Sequence, residues 1–108
     1  MRRRQQPTGD FAVTGTGRGY AFSGELTFAT ASQALEATRG LFGNEQGMLS
    51  FDLAGISSSD SAGVALLIEW LRLAGRTGIT LRYARLPENL EAMARVCGVA
   101  EILPTLPA

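Results

Sequence analysis

Two segments of this chain alternate between apolar and polar residues, and one long apolar segment separates them. The alternating apolar positions are Leu49, Phe51 and Leu53 in the first segment and Ile79, Leu81 and Tyr83 in the second. Between them, residues from about Ser61 to Arg76 have helical spacing and end at Gly78. Two strands joined by such a helix form a crossover unit and are therefore parallel. Because strands buried on both faces have continuous apolar runs, the alternation predicts a sheet covered by helices mainly on one side.

The remaining segments add a hairpin and two further helices. Phe11 and Val13 alternate with polar or small residues, as do Tyr20 and Phe22, and glycines 15, 17 and 19 lie between them, which predicts an antiparallel hairpin. Thr30 or Ser32 caps a predicted helix that ends near Phe42, and Gly43-Asn44 follows it. Pro87 is predicted in the first turn of a last helix, which Gly98 closes. The predicted fold class is α/β, with a mixed sheet.

The composition excludes several kinds of chemistry. The 108 residues contain no histidine and no lysine, so a Ser-His-Asp triad, the commonest metal ligand and a Walker-type lysine are all missing. Cys97 is the one cysteine, which excludes an intrachain disulfide and a cysteine-built zinc site. The sequence therefore predicts neither a catalytic residue nor a metal or cofactor site.

Ten arginines balance ten acidic residues, and three of the arginines are Arg2, Arg3 and Arg4. The rest of the chain is therefore mildly acidic, which argues against a nucleic-acid-binding face. Polar residues follow the arginine run, so we interpret residues 1–10 as a flexible, solvated tail and not as a signal peptide. Without an export signal or an apolar segment of about 20 residues, the expected location is the cytoplasm, with no direct insertion into a membrane.

The segment Ser57 to Val64 is the most informative part of the sequence. Asp60 is the predicted N-cap of the central helix, which places Ser61 in its first turn. An anion such as a phosphate on Ser61 is favourable there by about 0.3–1 kcal/mol. The simpler interpretation is that Ser59, Asp60 and Ser61 only cap the helix. Gly63 costs helix stability, about 1 kcal/mol relative to alanine, so we expect another backbone or a partner to approach it closely.

The central helix carries apolar residues on two sides. Val64, Leu67, Ile68 and Leu71 share one side and are predicted to pack on the sheet. Leu66, Trp70 and Leu73 fall on nearly the opposite side, together with Ala62. Either another part of the chain, such as the last helix, covers this second stripe, or the stripe is an exposed protein interface. We favour the interface, because a small one-sided sheet has few spare elements and Trp is a frequent interface anchor.

Three features together resemble the STAS domain of anti-sigma-factor antagonists and related proteins. They are Gly24-Glu25-Leu26 in the second strand, a strand ending in Asp52-Leu53, and Ser59-Asp60-Ser61-Ala62-Gly63 at the start of an apolar helix. The resemblance extends from about Phe11 to Pro104 and implies one STAS domain over residues 11–104.

Two branches of this family imply different functions. In anti-sigma-factor antagonists, a partner kinase phosphorylates the serine after the loop aspartate, and Ser61 matches that position. MlaB-type subunits instead bind the ATPase of an inner-membrane ABC complex that moves phospholipid and maintains outer-membrane lipid asymmetry. Thr27-Phe28 after Leu26, and the short ending after Gly98, resemble the MlaB type. Ser61-Ala62-Gly63 departs from the Thr-Gly-Gly common in that branch and resembles the phosphorylated type.

The resemblance to the MlaB type implies a non-enzymatic, cytoplasmic subunit at the inner membrane that activates an MlaF-like ATPase and so acts indirectly on the permease and lipid-binding subunits. The alternative is an antagonist switched by phosphorylation of Ser61. Saturable nucleotide binding by the isolated chain would indicate a third possibility, a nucleotide-binding module. The predicted docking surface combines a loop from Ser58 to Ser61 with the second stripe of the helix. Its residues are Ser58, Ser59, Asp60, Ser61, Ala62, Leu66, Trp70 and Leu73.

Overall fold

A computed structural model describes residues 10–16, 19–44 and 47–105, so residues 1–9 of the predicted tail, and Gly17 of the predicted turn, lie outside the described residues. The strands are β1 (Phe11–Gly15), β2 (Tyr20–Leu26), β3 (Met48–Ser59) and β4 (Thr80–Ala84). The helices are α1 (Ala31–Arg39), α2 (Leu41–Asn44), α3 (Ser61–Thr77) and α4 (Glu88–Val96), followed by a 3₁₀ turn at Ala100–Ile102. None of the helices in these described ranges is both long enough and apolar enough to cross a bilayer.

The strands form one mixed sheet in the order β1-β2-β3-β4. Strands β1 and β2 are antiparallel, with Val13 opposite Phe22, which confirms the predicted hairpin. Strands β2 and β3 are parallel, and so are β3 and β4, where Phe51 lies opposite Tyr83. Helix α3 connects β3 to β4, so the predicted parallel crossover is confirmed as well.

One face of the sheet carries the core. Phe22, Phe51 and Tyr83 are almost completely buried, whereas Ala12 and Ala54 on the opposite face are exposed. The Tyr83 hydroxyl donates a hydrogen bond to the Leu67 carbonyl of α3 at 2.6 Å, and burial raises the pKa of Tyr83. The predicted fold class, a mixed sheet with helices mainly on one side, is therefore confirmed.

Helix α3 packs through a different side from the one predicted. Trp70 is fully buried, Leu66 is 5% exposed and Leu73 is half-buried, so the predicted exposed stripe of Leu66, Trp70 and Leu73 is wrong. Ile68, which was expected in the core, is 38% exposed.

The buried side of α3 is centred on the line Gly63, Leu67, Trp70 and Ala74, about a quarter turn from the predicted centre. The cause lies in α1, not in the last helix. The Trp70 Nε1–H donates to Thr38 Oγ1 of α1 at 2.8 Å, and the indole packs on Phe22 and Phe51 with ring centroids 5.2 Å away in each case.

The end of α3 follows its predicted signal, whereas α4 begins one residue later than predicted. Gly78 ends α3 in the left-handed conformation (φ 77°), where its N–H donates to the Ala74 carbonyl. Pro87 lies immediately before α4, as its N-cap, and not within the first turn as predicted. A first-turn position and an N-cap position both suit proline, because neither needs its missing N–H.

Candidate functional site

The site begins at Asp60, which separates β3 from α3. The Asp60 backbone is extended, and its Oδ1 accepts hydrogen bonds from the N–H groups of Ala62 (2.9 Å) and Gly63 (3.4 Å). Both are N–H groups of the first turn of α3, and that of Gly63 also donates to the Asp60 carbonyl at 2.9 Å, so Asp60 is the N-cap that the sequence predicted. The other carboxylate oxygen, Oδ2, accepts from the N–H of Phe28 at 3.1 Å. One side chain therefore fixes both the start of α3 and the segment after β2.

The predicted loop from Ser58 to Ser61 is wrong, because β3 continues to Ser59 and only Asp60 lies between strand and helix. Ser58 and Ser59 pair with Glu25 and Leu26 at the end of β2, after a shift in register. Both serines are half-buried, and the Ser59 hydroxyl oxygen is buried without a hydrogen-bond partner among the residues that the structure describes. These two residues position the start of α3 and contribute little surface for a partner.

Gly63 lies where α3 passes over the end of β2. A Cβ atom at this position would be 2.3 Å from the Leu26 carbonyl oxygen, a distance that no side chain tolerates. The predicted close approach of another backbone to Gly63 is therefore confirmed, and that backbone belongs to this chain. The missing side chain lets the first turn of α3 pack directly against β2.

The segment from Thr27 to Thr30 holds an exposed aromatic residue. Thr30 Oγ1 donates to the Glu25 carbonyl at 2.8 Å and accepts from the Thr27 N–H at 3.1 Å, and Thr30 is fully buried. With these bonds and the one to Asp60, the backbone of the turn is fixed at several points. Phe28, at its apex, is nevertheless 85% exposed, the largest exposed fraction among the large apolar residues of the described ranges.

Ser61 occupies the first position of α3, as predicted. Its side chain is exposed and forms no hydrogen bond within the described parts of the chain. The capping bonds come from Asp60, so the Ser61 hydroxyl is not needed for the helix. The free hydroxyl faces solvent one residue beyond the carboxylate that also holds Phe28.

The structure therefore brings together part of the predicted docking surface. We call Phe28, Asp60, Ser61 and Ala62 the docking tip. Of the remaining predicted residues, Ser58 and Ser59 lie in β3. Trp70 and Leu66 are buried, and Leu73 is half-buried. Sequence reasoning did not predict that Phe28 is exposed beside Asp60. The available signal was a large aromatic residue outside both periodic segments, in a short strand-to-helix connection.

No cluster of three or more histidine, cysteine, aspartate or glutamate side chains within residues 10–16, 19–44 and 47–105 is arranged to hold a metal ion. The chemistry of the docking tip consists of one capping carboxylate, one hydroxyl and one aromatic ring. This combination suits contact with another protein.

Comparison with known proteins gives one family and one fold. The family model described as "Mlab, STAS domain" matches residues 20–105, which is most of the chain. None of the curated proteins compared with the sequence matches it.

Several solved structures share the fold at low sequence identity. An anti-sigma factor antagonist from Mycobacterium paratuberculosis superposes with a TM-score of 0.68 at 15% identity, covering 94% of this chain and 87% of that one. The anti-sigma factor antagonist SpoIIAA in its unphosphorylated form gives 0.67 at 15% identity, covering 91% and 89%. A candidate anti-sigma factor antagonist from Thermotoga maritima gives 0.68 at 13% identity, covering 91% and 86%. These superpositions establish a shared fold.

Proposed function

The chain belongs to the STAS domain family, through the model described as Mlab, and from this premise we propose that it is a non-enzymatic subunit that binds and activates the ATPase of a phospholipid ABC transporter. In this role it would be cytoplasmic, held at the inner membrane through the complex, and would serve the maintenance of outer-membrane lipid asymmetry. The observation that carries the proposal is the docking tip, where the Asp60 carboxylate accepts the backbone N–H of the exposed Phe28 and caps the helix that begins at Ser61, whose hydroxyl is free.

The exposure of Phe28 has an energetic consequence. Covering a phenylalanine side chain that is 85% exposed is worth about 1.5–3 kcal/mol, and the turn that carries it is already ordered by hydrogen bonds. A partner therefore gains this free energy without first ordering a flexible loop. Aromatic residues of this kind are frequent anchors of protein interfaces.

The proposed activation is a linkage effect. A subunit that binds the ATPase only in its assembled, active arrangement stabilises that arrangement by its binding free energy. The population of the active arrangement therefore increases. Such a subunit needs a surface and no catalytic group.

Copurification tests this proposal. A tagged full-length chain is expected to retain an ABC ATPase subunit, and Phe28→Ala should weaken the affinity by about 10- to 100-fold without changing the free energy of unfolding. Val96→Ala is the matched control, because Val96 is 81% exposed on α4 and lies outside the docking tip. Ser61→Asp should also weaken binding, since it adds charge to the tip. The proposal fails if no ABC ATPase is retained, or if Phe28→Ala binds as tightly as Val96→Ala.

A second candidate function rests on Ser61 itself. Its hydroxyl is exposed, makes no hydrogen bond within the described residues and lies in the first turn of a 17-residue helix. The positive end of the helix favours a phosphate there. This supports an anti-sigma-factor antagonist that a partner kinase switches by phosphorylation.

The second function predicts a mass gain of one phosphate on Ser61 when the partner kinase and ATP are supplied, and no gain in the Ser61→Ala variant. A phosphate on another residue, or none, contradicts it. Genes for a permease and a substrate-binding transporter subunit beside this one favour the first function, and genes for a sigma factor and a kinase favour the second.

A further inference from the structure

The residue at the start of α1 does not cap that helix with its side chain. Thr30 is the N-cap of α1, and its carbonyl accepts from the Ala34 N–H at 2.8 Å, but its hydroxyl forms no bond to the N–H groups of the first turn. A threonine at an N-cap ordinarily uses its side-chain oxygen for those groups. The Thr30 hydroxyl bonds instead to the segment before the helix, and the whole residue is fully buried.

The Thr30 hydroxyl joins both ends of the turn that carries Phe28. It donates to the Glu25 carbonyl at 2.8 Å and accepts from the Thr27 N–H at 3.1 Å. The Thr30 N–H donates to the Thr27 carbonyl at 3.0 Å. These three bonds close the backbone between β2 and α1 into a compact turn, and Phe28 is 85% exposed at its apex.

Each of the four backbone N–H groups from Thr27 to Thr30 has an acceptor, and side chains supply three of these acceptors. Thr30 Oγ1 accepts from Thr27, as described above. Asp60 Oδ2 accepts from Phe28 at 3.1 Å, and Thr27 Oγ1 accepts from Ala29 at 3.2 Å. The conformation of this turn is therefore set by local bonds from side chains to the backbone, and not by a ladder of backbone bonds.

We infer that Thr30 is a positioning residue for docking, whose hydroxyl holds Phe28 in the conformation that the ATPase subunit covers. This inference rests on the proposed function. Fixing the backbone of one residue lowers an affinity by a factor of about 5–30 when the binding step has to do it. In an ordered turn this cost belongs to folding, so the partner binds more tightly. Because Thr30 is buried, its effect on a partner passes through Phe28.

Thr38, also on α1, provides a matched comparison. It is fully buried as well, and its hydroxyl donates to the Ala34 carbonyl at 2.8 Å and accepts from the Trp70 indole N–H at 2.8 Å. In Thr30→Val and in Thr38→Val alike, the side chain nearly keeps its volume and loses the hydrogen bonds of a buried hydroxyl. Both variants should be less stable than the parent. A difference in binding between them therefore reports the position of the hydroxyl and not the loss of stability.

The affinity of the full-length chain for the copurified ABC ATPase is the first measurement, at a temperature where every variant is folded. Thr30→Val should weaken the affinity by about 5- to 30-fold. Thr38→Val should bind like the parent. Thr30→Ser keeps the hydroxyl and should also bind like the parent.

Amide hydrogen exchange of the free chain, followed residue by residue by NMR, is the second measurement. In Thr30→Val, the N–H groups of Thr27, Phe28 and Ala29 should exchange faster relative to those of β3, because the turn opens more often. Thr38→Val and Thr30→Ser should not show this local change. A purely structural contribution of Thr30 to the core would not loosen the turn selectively.

The outcomes separate the inference from the proposed function. The inference is wrong, and the proposed function stands, if the parent retains the ATPase but Thr30→Val binds as tightly, if Thr38→Val loses as much affinity, or if Thr30→Ser does not restore binding. A loss of affinity without faster exchange in the turn also overturns the inference. If the parent retains no ABC ATPase, the proposed function fails, and the inference fails with it.

Thr27→Val decides the question if Thr30→Val does not fold. Thr27 is half-buried, and its hydroxyl accepts from the Ala29 N–H and donates to Glu25 Oε1 at 3.4 Å. Removing this hydroxyl should weaken the ATPase affinity and accelerate exchange of the Ala29 N–H. Parent-like values of both would overturn the inference.

Discussion

Removing the hydroxyl of Thr38 should destabilise the protein through Trp70. Thr38 Oγ1 is buried, accepts the indole N–H at 2.8 Å and donates to the Ala34 carbonyl at 2.8 Å. In Thr38→Val the side-chain volume is nearly kept, but the fully buried indole N–H loses its acceptor. An unsatisfied buried donor costs about 1–3 kcal/mol, against a total stability of about 5–15 kcal/mol for a domain of this size. Trp70→Ala should cost about 3–5 kcal/mol, because it also leaves a large cavity.

Urea unfolding followed by far-UV circular dichroism measures these losses as a lower midpoint at unchanged slope. Thr77→Val is the matched control, since Thr77 is exposed and bonds only to carbonyls of its own helix. It should change stability by about 0.5 kcal/mol or less. In a double-mutant cycle with Trp70→Phe, Thr38→Val should show a coupling free energy of about 1 kcal/mol. The assignment of Trp70 to the core is refuted if Thr38→Val and Trp70→Ala are both as stable as the Thr77→Val control.

Three further predictions concern stability. Gly63→Ala should destabilise the protein by more than about 1 kcal/mol, because its Cβ meets a carbonyl oxygen. Gly75→Ala, which has open space in the same helix, should stabilise the protein by about 0.5–1 kcal/mol. Urea unfolding measures both changes. Asp60→Ala should cost about 0.5–2 kcal/mol of unfolding free energy through the lost helix cap, and an unchanged urea midpoint would contradict that role. The hydrogen bond from Arg85 lowers the pKa of Asp52, so the pair adds stability above the unfolded-state pKa of Asp52, near 3.8, and loses it as pH falls through the folded-state value. Asp52→Asn should therefore lose less stability than the parent between pH 6 and pH 3, and equal losses would contradict this.

The elements with strong local signals could be predicted from the sequence. The hairpin, the parallel crossover, the Asp60 cap and the close approach at Gly63 each have a local signal in the sequence, and the structure contains all four. Periodicity alone could not assign the buried side of α3, because apolar residues occupy most of its circumference. Helix α1 covers the side of α3 that carries Trp70, whose indole N–H donates to Thr38 of α1. No local pattern in the sequence shows where α1 packs.

The length of β3 could not be predicted for a related reason. After Leu53 the alternation of apolar residues stops, and serines follow Ile56. The strand continues because β2 pairs with it through shifts in register. Gly55 lets the two strands approach, because a Cβ at this position would be 2.5 Å from the Phe22 carbonyl oxygen. Such pairing is a long-range effect. The expected loop at Ser58 and Ser59 depended on composition alone.

The two proposed functions use the same surface, and the structure determines which experiments can separate them. Asp60 already caps α3, so a phosphate on Ser61 would not be needed for the helix and would act mainly by adding about 1.5–2 negative charges beside the Asp60 carboxylate and Phe28. An acidic substitution at Ser61 should therefore weaken the docking of an ATPase and that of an anti-sigma factor alike. Loss of binding in Ser61→Asp locates the interface in both cases. Only the captured partner and the appearance of phosphate on the native serine distinguish a constitutive transporter subunit from a phosphorylation switch.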